Sequence, residues 1–214
     1  MEKIMKLIGF FRSGASYRVR IGLNLKGLTA EHAFRHLRKN EHKAADYLAV
    51  NPQGLVPTLF TDSGEALTQS IAILEWLDET HPTPSFLPKD PLQRARVRAF
   101  ALAIACDVHP VQNLGVLNKL KAYGLDEAKA NQWAKETNYD GLAACELMLA
   151  KEKGPFCFGA EPTLADICLV PQLVNARRFG ADVSGFKRIL EAEAACLAHP
   201  AFAAAAPEKQ PDAE

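Results

Sequence analysis

The chain of 214 residues is 48% hydrophobic, enough to bury one large core or two modest ones without a disulfide or metal staple. Its 25 lysines and arginines balance 25 aspartates and glutamates, which gives no long-range field toward nucleic acid or an anionic membrane, so any anion must be caught locally. The five cysteines, Cys106, Cys145, Cys157, Cys168 and Cys196, form no CxxC or Cys/His cluster, as expected of reduced, buried thiols. The opening MEKIMKLIGF is too short an apolar run for a signal peptide, and no stretch nears the roughly 20 apolar residues of a membrane span, so a cytoplasmic location is expected.

Residues 6 to 11 read as a buried strand ending in the polar turn Arg12-Ser13-Gly14-Ala15. A helix follows from Ser16 to Lys26, stopped by Gly27, with Arg18 and Arg20 expected on a solvated face. A strand is predicted over 32–37, a short helix over 43–50, a strand over Val56–Phe60 that begins on a proline, and a hairpin turn leading to 65–68. Ser70 is placed as the cap of a helix running through Glu79, broken by His81-Pro82-Thr83-Pro84. The order is βαβαββα.

From Asp90 the pattern is helical: 91–121, 126–152, 163–178 and 186–197. Pro110 is expected to kink the first of these near His109, leaving His109 and Asn113 on one helix face. Thr163-Leu164-Ala165-Asp166 has the form of a capping box, and the tail AAAAPEKQPDAE is expected to fray. The composition shift over 81–90 divides the chain into a domain of residues 1–84 and a helical domain of residues 90–214.

Two features point to chemistry. If Val56-Pro57 is cis, the Val56 amide and carbonyl stand unpaired beside the sheet, where an extended peptide can pair with them. Gln69 and Ser70 at the next helix start offer an amide, a hydroxyl and free backbone donors, which suit a carboxylate. An ordinary edge proline and an ordinary serine cap explain the same residues. The scattered histidines lack ligand spacing, and no metal is expected.

At this point the sequence resembles the glutathione transferases. The segment from Phe11-Arg12-Ser13-Gly14-Ala15-Ser16-Tyr17-Arg18-Val19-Arg20-Ile21 is similar to the signature of the zeta class, and the resemblance continues through Asn51-Pro52-Gln53-Gly54-Leu55-Val56-Pro57, Leu67-Thr68-Gln69-Ser70, Cys106 to Leu114, Thr163 to Asp166 and Ala176-Arg177-Arg178-Phe179. It implies a thioredoxin-like βαβαββα domain followed by an all-helical domain, with glutathione as cofactor. Ser13 would hydrogen-bond the glutathione sulfur, Val56 would pair with the cysteinyl backbone, and Gln69 and Ser70 would hold the γ-glutamyl carboxylate. His42, Gln53, His109, Asn113 and Asp107 are further candidates for the cofactor, with Asp107 reaching it across a C2 homodimer. Arg178, Arg12, Arg177 and His109 are candidates for the substrate, because an arginine fork fixes a carboxylate by two parallel bonds.

The implied activity is cis–trans isomerisation of a maleyl diketo acid, with maleylacetoacetate ranked above maleylpyruvate; Ser13, Arg12 and Arg178 carry the catalysis. A thiolate that adds to a conjugated alkene makes the bond single and free to rotate. Two alternatives are a general transferase acting on small α-haloacids and a non-catalytic glutathione-binding module. One departure stands out: Ser13 is followed by Gly14-Ala15, without the second serine or the cysteine common here. That weakens a dehalogenase reading and leaves thiol activation to Ser13 and backbone amides, or to compensation by Ser16.

Overall fold

The computed structural model describes residues 4–214; the leading Met1-Glu2-Lys3 of the segment weighed as a signal peptide lies outside them. The chain forms two compact units. One runs through Ser85 and also takes in His199–Glu214, and the other is Phe86–Ala198.

In the first unit the order is β1 (Met5–Gly9), α1 (Gly14–Leu25), β2 (Ala30–Phe34), α2 (Ala45–Leu48), β3 (Thr58–Phe60), β4 (Ala66–Thr68) and α3 (Ser70–Thr80). The four strands lie in the order β2-β1-β3-β4, with β2 parallel to β1 and the β3–β4 hairpin antiparallel. This is the mixed sheet of a thioredoxin-like domain, as the βαβαββα order implies. Leu7, Leu59, Ile73, Leu74 and Leu77 are buried in its core. Val56-Pro57 is cis, as is Thr83-Pro84.

Two expectations fail here for one physical reason. The tail does not fray: Pro200–Ala205 forms α9, packed on α1, with Phe202 and Ala205 buried. Helix α1 is therefore covered on both sides, by α3 and by α9. Arg18 and Arg20, expected in solvent, are 1% and 5% exposed. The alternation of apolar residues and arginines in this helix reflects burial all round, with the arginines kept inside by polar partners. Ser70 also differs from its expected place: Gln69 is the cap, at φ 67°, and Ser70 is the first helical residue.

The second unit holds α4 (Pro91–Leu102), α5 (Leu114–Ala122), α6 (Glu127–Met148), α7 (Leu164–Arg178) and α8 (Lys187–Ala198). Helix α7 is buried along most of its length and packs against α4, α6 and α8. The capping box forms, and Asp166 accepts from the Thr163 amide at 2.8 Å. The predicted continuous helix over 91–121 is instead broken: a π-helical segment, Ala103–Val108, and a short 3-10 turn, Pro110–Gln112, separate α4 from α5. By length and composition alone the run Pro91–Ala122 does pass for a membrane span, with a window of mean hydropathy 1.3, contrary to the expectation that nothing comes near one. The break carries Asp107, His109, Gln112 and Asn113 through its middle, which a lipid-facing helix would not tolerate without partners.

Helix α6 comes so close to the π-helical segment that a Cβ on Gly141 would lie 2.2 Å from Val108 Cγ2. Alanine improves helix propensity by up to about 1 kcal/mol, whereas overpacking a core contact costs about 1–3 kcal/mol. Gly141→Ala is thus expected to lower the melting temperature, and Val108→Ala is expected to recover much of that loss when combined with it. A thermal melt of both variants and the double variant checks the coupling.

Candidate active site

The turn after β1 ends at Ser13, the N-cap of α1. Its Oγ accepts from the Ser16 amide at 3.2 Å, and its own amide donates to Phe10 O at 3.0 Å. Accepting at oxygen leaves the hydroxyl hydrogen available to donate outward, and the half-buried Ser13 sits where the positive end of α1 emerges. Beside it, the Arg12 guanidinium lies 5.0 Å from the centre of the Phe11 ring. Ser16 does not compensate for the missing second serine. It is fully buried, with its Oγ turned toward β1, 3.2 Å from where a Cβ on Gly9 would be.

The loop before β3 is held from beneath. Tyr47 donates its hydroxyl to Leu55 O at 2.6 Å, and Asn51 Nδ2 donates to the same oxygen at 2.7 Å. Gly54 has φ +56°, and any Cβ there would fall 2.8 Å from His42 O, so only glycine fits. This scaffold presents Val56, whose amide and carbonyl have no hydrogen-bond partner among the described residues. Ile8, Phe10, Phe11, Tyr47 and Val56 form one buried apolar cluster, joining the Ser13 turn to the Val56 loop.

At the start of α3, no side chain caps the helix, so its first amides remain available. Gln69 instead turns its Nε2 to Gln53 Oε1 at 2.8 Å, pairing two exposed amides. Ser70 Oγ accepts from the buried Arg18 Nη1 at 3.3 Å. A hydroxyl that accepts from a cation behind it points its hydrogen forward. His42 is buried, and its Nδ1 has no hydrogen-bond partner.

Burial, then the nearby Lys43 cation, lowers the His42 pKa below 6.5. A histidine whose folded pKa lies below its unfolded value contributes stability that is complete above the unfolded pKa and is lost as pH falls through the folded one. His42→Gln is therefore expected to flatten the fall in melting temperature as pH drops below about 6.5, which melts over a pH series test.

In the second unit the predicted residues separate. Asn113 does not share a helix face with His109; it is the extended N-cap of α5 and accepts from the Val116 amide at 3.0 Å. His109 is half-buried at the break, and its carbonyl accepts from Gln112 Nε2 at 3.3 Å. Asp107 is exposed. Arg177 is committed to Glu193 by a two-pronged salt bridge, which raises its pKa. Its fork is thus engaged by Glu193, whereas it was a candidate for the substrate carboxylate. Exposed Arg178 bonds Asn175 Oδ1 and lies 5.0 Å from the Phe179 ring centre.

Residues 12–80 match the family described as "Glutathione S-transferase, N-terminal domain". The maleylacetoacetate isomerase of Pseudomonas aeruginosa is 47% identical over 97% of this chain and 98% of its own length. The holo structure of a maleyl pyruvate isomerase, described as a bacterial glutathione S-transferase in the zeta class, superposes with a TM-score of 0.94 at 46% identity, covering 98% of this chain and 100% of that one. The chain belongs to the zeta-class glutathione transferases. A third relative, the maleylacetoacetate isomerase of Methylobacterium extorquens crystallised with malonate and glutathione, gives a TM-score of 0.94 at 39% identity over 98% of this chain and 99% of that one.

The first unit of this zeta-class chain offers donors and acceptors that fit glutathione on their own evidence. An unpaired backbone amide and carbonyl at Val56 suit a peptide, and the open amides of α3 with Ser70 suit a carboxylate. The unpaired Nδ1 of His42 is a further orphan that a polar ligand can satisfy. Three supporting residues carried no signal of role in the sequence: Tyr47 under the loop, Arg18 behind Ser70, and Asp212, whose Oδ2 accepts from the Phe11 amide.

Proposed function

We propose that this protein is a glutathione-dependent cis–trans isomerase of a maleyl diketo acid, with maleylacetoacetate as its substrate. The observation that carries the proposal is the Ser13 turn: a hydroxyl free to donate at the positive end of a helix, on the same apolar cluster as the unpaired Val56 backbone. When bound, glutathione supplies a thiol nucleophile that attacks the conjugated double bond and is returned unchanged. Ser13 donates a hydrogen bond to the sulfur, and with the α1 N-terminus it favours the thiolate. Val56 pairs with the cysteinyl backbone, while Ser70, backed by Arg18, and Gln69 hold the γ-glutamyl carboxylate. Gln53, bonded to Gln69, and His42, with its unpartnered Nδ1, are further contacts for the cofactor. Arg178 and Arg12 bind the substrate carboxylates and stabilise negative charge as it develops on the keto end.

Maleylpyruvate is the second substrate of this reading, because relatives acting on either acid are equally similar to the chain. The α-haloacid reading loses ground at Gly14-Ala15, which place no thiol beside Ser13. The enzyme is proposed to work in the cytoplasm as a C2 homodimer, with exposed Asp107 near the two-fold; sedimentation as a monomer at micromolar concentration would exclude that role. Turnover of both maleyl acids and of a haloacid, with free thiol counted at the end, tests the function. The proposal requires conversion of a maleyl acid with thiol conserved, and thiol consumption matched to product would refute it.

A further inference from the structure

The segment His199–Glu214, part of the first unit, straps the turn that carries Ser13. Asp212 Oδ2 accepts from the Phe11 amide at 2.9 Å. The Phe11 carbonyl accepts from Arg20 Nη2 at 3.1 Å, while Arg20 Nε donates to Ala205 O at 3.0 Å. Both polar groups of Phe11 are thus tied to this segment, one directly and one through a buried guanidinium. Asn24 Nδ2 donates to Ala201 O at 2.9 Å, and His36 Nε2 pairs with Glu214 Oε1 at 2.7 Å, fixing the strap at either end.

We infer that Asp212 and Arg20 are positioning residues for the thiol-activating hydroxyl, acting through the Phe11 backbone. The physical case rests on cost. Burying a guanidinium costs free energy unless its N–H groups are hydrogen-bonded, and ordering a polar segment costs entropy that its contacts must offset. Here the bonds converge on the residue two before Ser13, in a turn otherwise anchored at Ser13 itself, through its amide on Phe10 O, its carbonyl on the Tyr17 amide and its Oγ on the Ser16 amide. Holding the Phe11 amide and carbonyl sets the direction in which the chain leaves β1, and so the direction in which the Ser13 hydroxyl emerges. A small misalignment of such a donor weakens a hydrogen bond steeply. The inference rests on the proposed role of Ser13 toward glutathione.

The test compares the full-length wild type with Asp212→Ala and Asp212→Asn; asparagine keeps an acceptor for the Phe11 amide. Amide hydrogen exchange over 10–13 reads the turn without any ligand. The pH dependence of the thiolate absorbance of bound glutathione reads the alignment, and steady-state kinetics separate kcat from the glutathione KM. Asp212→Ala is expected to speed exchange in the turn, reduce bound thiolate at neutral pH and lower kcat roughly threefold to tenfold, with the glutathione KM little changed. Asp212→Asn is expected to restore most of each. Faster exchange with unchanged thiolate and kcat would make the strap a plain tether and overturn the inference, as would equal losses in both variants. A wild type without bound-thiolate signal would overturn the role of Ser13 and this inference with it, whereas a wild-type signal untouched by Asp212→Ala would overturn this inference alone.

Discussion

Replacing Ser13 by glycine is expected to lower kcat about a hundredfold, the loss typical of deleting one donor aimed at developing negative charge. Ser13 has two jobs, and the substitutions separate them. As N-cap of α1 its Oγ accepts from the Ser16 amide. Alanine there costs about 1 kcal/mol of stability, whereas glycine costs only a few tenths. Ser13→Ala and Ser13→Gly should therefore share the kinetic loss while differing in melting temperature. Neither should weaken glutathione binding much, because on the proposed binding mode Val56 and Ser70 would hold the peptide backbone and the γ-glutamyl carboxylate. Since Ser16 is buried and turned toward β1, no neighbouring hydroxyl can take over. Retained turnover in Ser13→Gly would mean that the backbone amides of the turn activate the thiol alone.

Arg178→Ala is expected to lower kcat/KM for the maleyl acid roughly tenfold to a hundredfold, the worth of one charge-assisted pair at about 1.5–3 kcal/mol, with glutathione affinity unchanged. The neutral chain makes local cations the means of holding a substrate with two carboxylates. Arg177, its neighbour, is the internal control. Its fork is closed on Glu193, so Arg177→Ala should reduce stability and leave substrate kinetics alone. If the two variants exchange these phenotypes, the substrate carboxylate is held somewhere other than Arg178.

The order βαβαββα, the turn at Ser13 and the capping box at Thr163 were legible because each rests on local signals: an apolar run, a cap, a breaker. The cis Val56-Pro57 bond and the helix start at Gln69-Ser70 were legible for the same reason, although Gln69 and not Ser70 is the cap. What escaped was set by distant packing. Arg18 and Arg20 look solvated on a helical wheel, but α3 covers Arg18, which bonds Ser70, and α9, about 180 residues later, covers Arg20. The same docking orders a tail whose composition reads as frayed. His109 and Asn113 were placed on one face by spacing, but Pro110 ends the helix there, and Asn113 turns into the cap of the next. The resemblance ranked Arg178 above Arg177, but the partner that engages Arg177, Glu193 on α8, was not visible in the sequence.

The central claim is that glutathione is needed but not used up. The most direct measurement follows the ultraviolet absorbance of maleylacetoacetate with enzyme and glutathione at far below the substrate concentration, beside a control without glutathione. The account predicts complete conversion to the fumaryl isomer with the free thiol recovered intact, and no catalysed change in the control. Conversion that stops once the glutathione is spent, or that proceeds equally well without it, would contradict the account.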